Sequence, residues 1–97
     1  MTQAMTLSSL QQYIKEFDYN PNHKLAYFLK LSEEVGELAE TIRKDTRLKD
    51  TGEIKGTIEE ELCDVLYYIL SLANVYEIDL EKCFQLKDEL NKIKWNR

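Results

Sequence analysis

The most informative stretch of this 97-residue chain is Ser32-Glu33-Glu34-Val35-Gly36-Glu37-Leu38-Ala39-Glu40, which carries four carboxylates inside a strongly helical pattern. A second acidic stretch, Glu59-Glu60-Glu61-Leu62-Cys63-Asp64, opens the next long helical pattern. Residues three apart on a helix lie on neighbouring turns and can reach one ligand. We therefore predict that Glu34 and Glu37 face Glu61 and Asp64 across a pair of helices.

The apolar residues around each acidic stretch form one stripe when they are placed at about 100° per residue on a helical wheel. Glu34 falls on the edge of the first stripe, and Glu37 lies one step further round. Glu61 lies at the margin of the second stripe, with Asp64 one step beyond it. We expect both stripes to be buried. The stripe on the first helix consists of Phe28, Leu31, Val35, Leu38, Ala39 and Ile42. The stripe on the second helix consists of Ile58, Leu62, Val65, Ile69, Leu72 and Tyr76.

Helical spacing of apolar residues predicts four helices, at about 7–17, 24–44, 58–76 and 80–94. Thr6, Thr57 and Asp79 are expected to cap three of them, because such side chains accept hydrogen bonds from the free N–H groups of a first turn. Thr57 to Glu60 also has the form of a capping box, in which Glu60 reaches back to the cap residue.

Two further expectations concern the connection and the last helix. The segment 45–56 is charged and contains Gly52 and Gly56, so we interpret it as a mobile loop, with a short helical turn as the alternative. The last helix should bury Leu80, Cys83, Phe84 and Leu90, which share one face.

The composition is typical of a small all-α protein forming one domain, 1–97. Three Gly and one Pro allow few turns, while 43% hydrophobic residues suffice for a helical core. A chain this short buries only a modest part of its surface, so we expect oligomerisation to add core to a four-helix bundle.

The charge and the cysteines narrow the functional classes. A net charge of −5 disfavours binding to a nucleic-acid polymer, although a small anion that carries Mg²⁺ is not excluded. No signal peptide and no apolar stretch of membrane-spanning length is visible. Cys63 and Cys83 lack a CxxC pattern and are interpreted as reduced thiols, which indicates a cytoplasmic protein.

The acidic pairs have an ordinary interpretation and a functional one. Taken singly, Glu34 or Glu61 is more often a charged residue at the edge of an apolar stripe. If the two helices pack antiparallel, however, four carboxylates converge, and their mutual repulsion requires a cation or protonation. An oxygen-only ligand set suits Mg²⁺ or Mn²⁺ and not Zn²⁺, so we predict a divalent metal site at Glu34, Glu37, Glu61 and Asp64.

The last helix and the aromatic residues suggest how a substrate could be held. Lys87 and Asn91 lie in the middle of that helix's apolar stripe, and Lys94 lies close to the same line. These side chains could neutralise a phosphate chain, or they could belong to a helix that is leaving the core. Among the aromatic residues that could stack on a base, Tyr68 is the best candidate because it follows Asp64 by one turn.

These residues resemble the MazG-like, all-α nucleoside triphosphate pyrophosphohydrolases. That family shows Glu-Glu-x-x-Glu on one helix and Glu-x-x-Asp on the next, which correspond here to 33–37 and 61–64. The flanking Leu38-Ala39-Glu40 and Val65-Leu66-Tyr67-Tyr68 also match, as does a Lys-x-x-x-Asn pattern at Lys87 and Asn91. The resemblance covers roughly residues 25–94.

The resemblance implies a Mg²⁺-dependent enzyme that cleaves (deoxy)nucleoside triphosphates between the α- and β-phosphates, giving the monophosphate and pyrophosphate. It assigns Glu34, Glu37, Glu61 and Asp64 to the metal and gives Glu33 an outer catalytic role. Lys87 and Asn91, with Lys94 and Tyr68, would contact the substrate. It also implies a homodimer or dimer-based homotetramer that removes unwanted nucleotides from the pool.

Two alternatives stay open from the sequence. A phosphoribosyl-ATP pyrophosphatase shares the helical acidic scaffold, and a substrate panel distinguishes it. A non-catalytic helical dimerisation or partner-binding module would carry its acids only as solvated surface.

Overall fold

The computed structural model describes residues 4–96 of the chain. Within that range the chain is all-α, without strands. The helices are α1 (Leu7–Phe17), α2 (Lys24–Lys44), α3 (Leu48–Thr51), α4 (Ile58–Val75) and α5 (Leu80–Trp95). The four long helices confirm the predicted all-α fold, and their bounds agree with the expected ones to within a residue or two.

Three of the helices begin at the predicted cap residues. The hydroxyl of Thr6 accepts from Ser9 N at 3.0 Å, and Asp79 Oδ1 accepts from Lys82 N at 3.2 Å. Thr57 Oγ1 accepts from Glu60 N at 3.2 Å, which places the start of α4. The expected reciprocal bond of a capping box is different here, because Glu60 Oε1 accepts from Gly56 N, one residue before the cap.

Helix α2 packs along α4, and α1 packs across α4, while α5 has its main contact with α1. The completely or nearly buried apolar side chains lie where α1, α2 and α4 meet: Ile14, Tyr27, Leu70, Ala73 and Val75. Ile58 N donates to Thr46 O at 3.0 Å, so the end of α2 lies beside the start of α4. Helices α2 and α4 are therefore antiparallel neighbours.

The connection between α2 and α4 is more ordered in its contacts than the loop that the sequence predicts. It contains the short helix α3, and Leu48 N donates to Glu59 Oε1 at 3.0 Å. Thr57 is fully buried, and its hydroxyl donates to Ile54 O at 2.5 Å. These bonds tie the connection to the first turn of α4, which lies directly before Glu61.

The predicted apolar stripes are only partly buried in the single chain, which corrects the sequence interpretation. Phe28 and Val35 on α2 are about half exposed, and so are Leu62 and Tyr76 on α4. No residue of α5 is buried, and the side chains of Cys83, Phe84 and Leu90 face solvent. The physical reason is that α4 covers only one side of α2, while α5 packs mainly against α1.

Among residues 4–96, none of the helices combines the length and the apolar character that a membrane span requires.

Candidate metal site

Three of the predicted acidic residues come together between α2 and α4. Glu34 is on α2, and Glu61 and Asp64 are on α4. One carboxylate oxygen from each lies within 4.8 Å of the others. The antiparallel packing of the two helices produces this arrangement, because each helix presents its acidic turn to the other.

Two oxygen atoms of this cluster, Glu34 Oε2 and Glu61 Oε2, are buried and have no hydrogen-bond partner among residues 4–96. Glu61 is itself only 8% exposed. Leaving a buried carboxylate oxygen unpaired costs free energy, because the oxygen loses water and gains nothing in return. The protein therefore carries an acceptor set that its own donors do not satisfy.

The electrostatics of the cluster show the same strain. Burial, together with the neighbouring carboxyls of Glu37, Glu61 and Asp64, raises the pKa of the Glu34 carboxyl from 4.5 to about 7. Burial also raises the pKa of Glu61 and of Asp64, with the charge of Glu37 adding to both. At neutral pH the cluster thus takes up either a proton or a cation.

The donor set fits a hard divalent cation. Every ligand atom is a carboxylate oxygen, which Mg²⁺ and Mn²⁺ prefer. Two of these oxygens have no other partner, so a cation would complete their coordination without breaking an existing bond. The residues present are therefore compatible with the metal that the resemblance implies.

Glu37 and Glu33 occupy different positions around the cluster. Glu37 is exposed, one turn after Glu34, and its carboxylate helps to raise the pKa of that residue. Glu33 points away and forms an exposed ion pair with Lys30 at 3.6 Å. The three-residue cluster thus has Glu37 at its solvent side and Glu33 outside it.

Of the predicted substrate contacts, Tyr68 lies near the acids. Its side chain is half-buried, burial raises the pKa of its hydroxyl, and the charges of Lys30, Glu34 and Asp64 act on it. Lys87 and Asn91 lie on α5, whose main packing partner is α1 and not the α2–α4 pair. Lys94 is exposed on the same helix, with its ammonium 5.8 Å from the Trp95 ring centroid.

The sequence analysis missed one polar group near the site. Asp18 lies directly after α1 and drew no functional expectation from the sequence, yet its carboxylate accepts hydrogen bonds from Tyr27 on α2 and Tyr67 on α4. A carboxylate directly after an amphipathic helix was the available signal. Its partners could not be identified, because they lie on two other helices.

A sequence model of the MazG nucleotide pyrophosphohydrolase domain matches residues 22–95. In three dimensions the chain is similar to the crystal structure of iMazG from Vibrio DAT 722. That likeness has a TM-score of 0.86 and 54% identity, and it covers 96% of this chain and 100% of the other.

A Bacillus-conserved MazG protein, described as a nucleotide pyrophosphohydrolase, gives a TM-score of 0.61 at 34% identity. Its likeness covers 95% of this chain and 93% of that one. The YpjD protein of Bacillus subtilis strain 168, whose function is uncharacterized, is 35% identical over 77 residues. Those residues make up 77% of this chain and 69% of YpjD.

Proposed function

This chain belongs to the MazG nucleotide pyrophosphohydrolase family, and from that premise we propose that it hydrolyses (deoxy)nucleoside triphosphates in a Mg²⁺-dependent reaction. The bond cleaved joins the α- and β-phosphates, and the products are the monophosphate and pyrophosphate. Mn²⁺ is expected to substitute for Mg²⁺. The domain 1–97 would act as one unit, in the cytoplasm, in cleansing the nucleotide pool.

The observation that supports this proposal best is the pair of buried, unpartnered oxygens on Glu34 and Glu61. They belong to helices that face each other, and one carboxylate oxygen each of Glu34, Glu61 and Asp64 lies within 4.8 Å of the others. A surface that only solvates its acids would expose them to water. The binding-module alternative therefore leaves the burial of Glu61 without a reason.

We assign the residues of the site by position. Glu34, Glu61 and Asp64 would hold the cation, with Glu37 completing the set from the solvent side. A divalent cation bound there would polarise a phosphate oxygen and lower the pKa of a water molecule. Glu37 is the exposed carboxylate of the group, so it is placed to accept a proton from an attacking water, and Glu33 would support it from outside.

The substrate contacts would be divided between two copies of the chain. Tyr68 lies beside the acids and can stack on a base in the same chain. Lys87, Asn91 and Lys94 lie on α5, which packs against α1. They would contact the triphosphate bound to another copy.

The exposed apolar surface gives that arrangement a physical basis. Phe84, Leu90 and Ile93 of α5 are 69%, 61% and 80% exposed, and the outer stripe of α2 is half exposed as well. Apolar side chains exposed to this extent mark an interaction surface in a small protein. A homodimer, or a homotetramer built from dimers, would bury it.

The reaction is tested by measuring pyrophosphate release across ordinary and modified nucleoside triphosphates, with phosphoribosyl-ATP included. We expect Mg²⁺-dependent release with triphosphates, abolished by Asp64→Asn while the helix content is kept. Glu40→Gln is the matched control, because Glu40 is exposed on α2 and pairs with Arg43. Equal release by wild type and Asp64→Asn would favour the binding module, and activity on phosphoribosyl-ATP alone would favour that pyrophosphatase.

The division between copies is tested by mixing two inactive variants, Asp64→Asn and Lys87→Ala. A mixed dimer contains one site with intact acids from one copy and an intact lysine from the other. Activity should therefore return on mixing. If each site is built from one chain, the mixture stays inactive.

A further inference from the structure

Asp18, the residue that ends α1, joins three helices through one carboxylate. Its Oδ1 atom accepts from the Tyr27 hydroxyl of α2 at 2.8 Å, and its Oδ2 atom accepts from the Tyr67 hydroxyl of α4. Asn20 adds two bonds, from Nδ2 to Asp18 Oδ1 at 3.3 Å and to the Tyr27 hydroxyl at 2.9 Å. We call these four residues the Asp18 clamp.

The tyrosines of the clamp are partly protected from water, while Asn20 is exposed. Tyr27 is only 6% exposed, and Tyr67 is half-buried. Burial and the neighbouring Asp18 charge raise the pKa of both tyrosine hydroxyls, so these groups remain protonated donors. Hydrogen bonds to an ionised acceptor are stronger than neutral ones, so the clamp is a firm link between α2 and α4.

The clamp lies on the same seam as the acidic cluster. Tyr27 precedes Glu34 by seven residues, which is about two turns on one helix face. Tyr67 follows Asp64 by three residues, or about 4.5 Å along the axis. Because α2 and α4 are antiparallel, both tyrosines lie on the same side of the cluster.

A second tie holds the other side. Ile58 N donates to Thr46 O at 3.0 Å, beyond the cluster toward the end of α2. Between the two ties lie carboxylates that repel each other, which tends to push the helices apart. The spacing of Glu34 from Glu61 and Asp64 therefore depends on how firmly both ends are held.

We propose that Asp18 is a positioning residue, whose clamp fixes the separation and register of α2 and α4 and so keeps the acidic ligands at the distance that a divalent cation requires. This proposal rests on the function proposed above. Asp18 touches neither cation nor substrate in this scheme, and it acts through Tyr27 and Tyr67.

The test measures Mn²⁺ and Mg²⁺ binding without nucleotide, by titration calorimetry on the whole chain. Asp18→Ala should weaken metal affinity about tenfold, the lower end of what is lost when the partners that orient metal ligands are removed. Tyr67→Phe should weaken it by a smaller factor. The double variant should bind like Asp18→Ala alone, because both changes remove the same link.

Gln11→Ala is the matched control. Gln11 is also a buried link between helices, since its Nε2 donates to Ile78 O at 2.6 Å and its Oε1 accepts from Leu80 N at 3.3 Å. It ties α1 to the start of α5, at the far end of α4. Its loss should lower the melting temperature without changing the metal affinity of the folded protein.

The outcomes separate the two proposals. If the wild type binds no metal, the proposed function fails. If the wild type binds metal and Asp18→Ala binds it equally well, or if Gln11→Ala weakens binding by the same factor, Asp18 has no positioning role. Should Asp18→Ala not fold, Tyr67→Phe decides, and an unchanged affinity in that variant overturns the proposal.

Discussion

Buried polar side chains at the two ends of α4 differ in whether they have hydrogen-bond partners. At the first end, Glu61 is buried and its Oε2 atom has no partner. At the other end, Asn74 and Ser71 are equally buried, and both are paired: Asn74 Nδ2 donates to Gln11 O at 3.0 Å, and Ser71 Oγ donates to Tyr67 O at 2.9 Å. Both ends belong to one helix of 18 residues.

This difference fits the roles proposed above, in which one end of α4 serves folding and the other binds a cation. A buried polar group with partners stabilises the fold modestly, whereas an unpaired one destabilises it. The Gln11–Asn74 end therefore holds α1, α4 and α5 together. The Glu34–Glu61 end weakens the metal-free chain and is understandable as a site that a ligand completes.

The largest expected effect is on activity at the acidic end. Glu61→Gln keeps the shape of the side chain but removes its charge, so the cation loses a ligand. We expect pyrophosphate release to fall about a thousandfold, in line with several kcal/mol of lost transition-state stabilisation. The measurement is kcat at saturating Mg²⁺. If the variant kept the wild-type kcat, Glu61 could not be a ligand of the catalytic cation.

The next effect is on stability at the opposite end. Gln11→Ala leaves Ile78 O and Leu80 N without their partner. Each lost buried partner costs about 1–3 kcal/mol, and because both bonds are only part-buried we expect the free energy of unfolding to fall by about 2–4 kcal/mol in total. Urea denaturation checks this, while the activity per folded molecule should be unchanged. If Glu61→Gln and Gln11→Ala lost equal amounts of stability, the two ends of α4 would not differ in their contribution to folding.

Mg²⁺ should stabilise the folded protein only when the carboxylate ligands at the acidic end of α4 are intact. A ligand at a hundred times its dissociation constant stabilises a folded protein by about 2.7 kcal/mol. Added Mg²⁺ should therefore raise the melting temperature of the wild type and of Gln11→Ala. It should leave Glu61→Gln nearly unchanged, and a shift of equal size in that variant would place the metal elsewhere.

The smallest effect is the pH dependence of the metal-free chain. The pKa of Glu34 rises from 4.5 to about 7 on folding, so between these values the folded state binds more protons than the unfolded state. Stability should then decrease as pH rises through this window, by about 1 kcal/mol after allowance for solvent screening. Urea titrations at several pH values check it, and Glu34→Gln should flatten the profile.

The sequence predicts most of the fold because its local signals are strong. Thr6, Thr57 and Asp79 cap helices as expected, and the acidic residues of α2 and α4 share a seam because antiparallel packing brings their turns together. These features depend on residues a few positions apart. One pairing of helices then brings Glu34 to Glu61 and Asp64.

The remaining features depend on contacts between distant parts of the chain, which a helical wheel does not show. A helical wheel identifies an apolar stripe but not how many neighbours cover it, so the exposure of Val35 and Phe84 was not foreseen. The ordered connection before α4 rests on bonds to Glu59 and Glu60 that look like ordinary first-turn acids. The partners of Asp18 are 9 and 49 residues away in sequence.

The position of α5 has a consequence for how the protein would behave in a cell. Lys87 and Asn91 lie on a helix that packs against α1. In the arrangement proposed above they complete the site of another copy, so a single chain would have no complete active site. At low copy number the total rate would then grow with the square of the amount of protein. A modest increase in expression would convert mostly inactive monomers into active oligomers. The concentration of the protein would then determine when nucleotide hydrolysis begins.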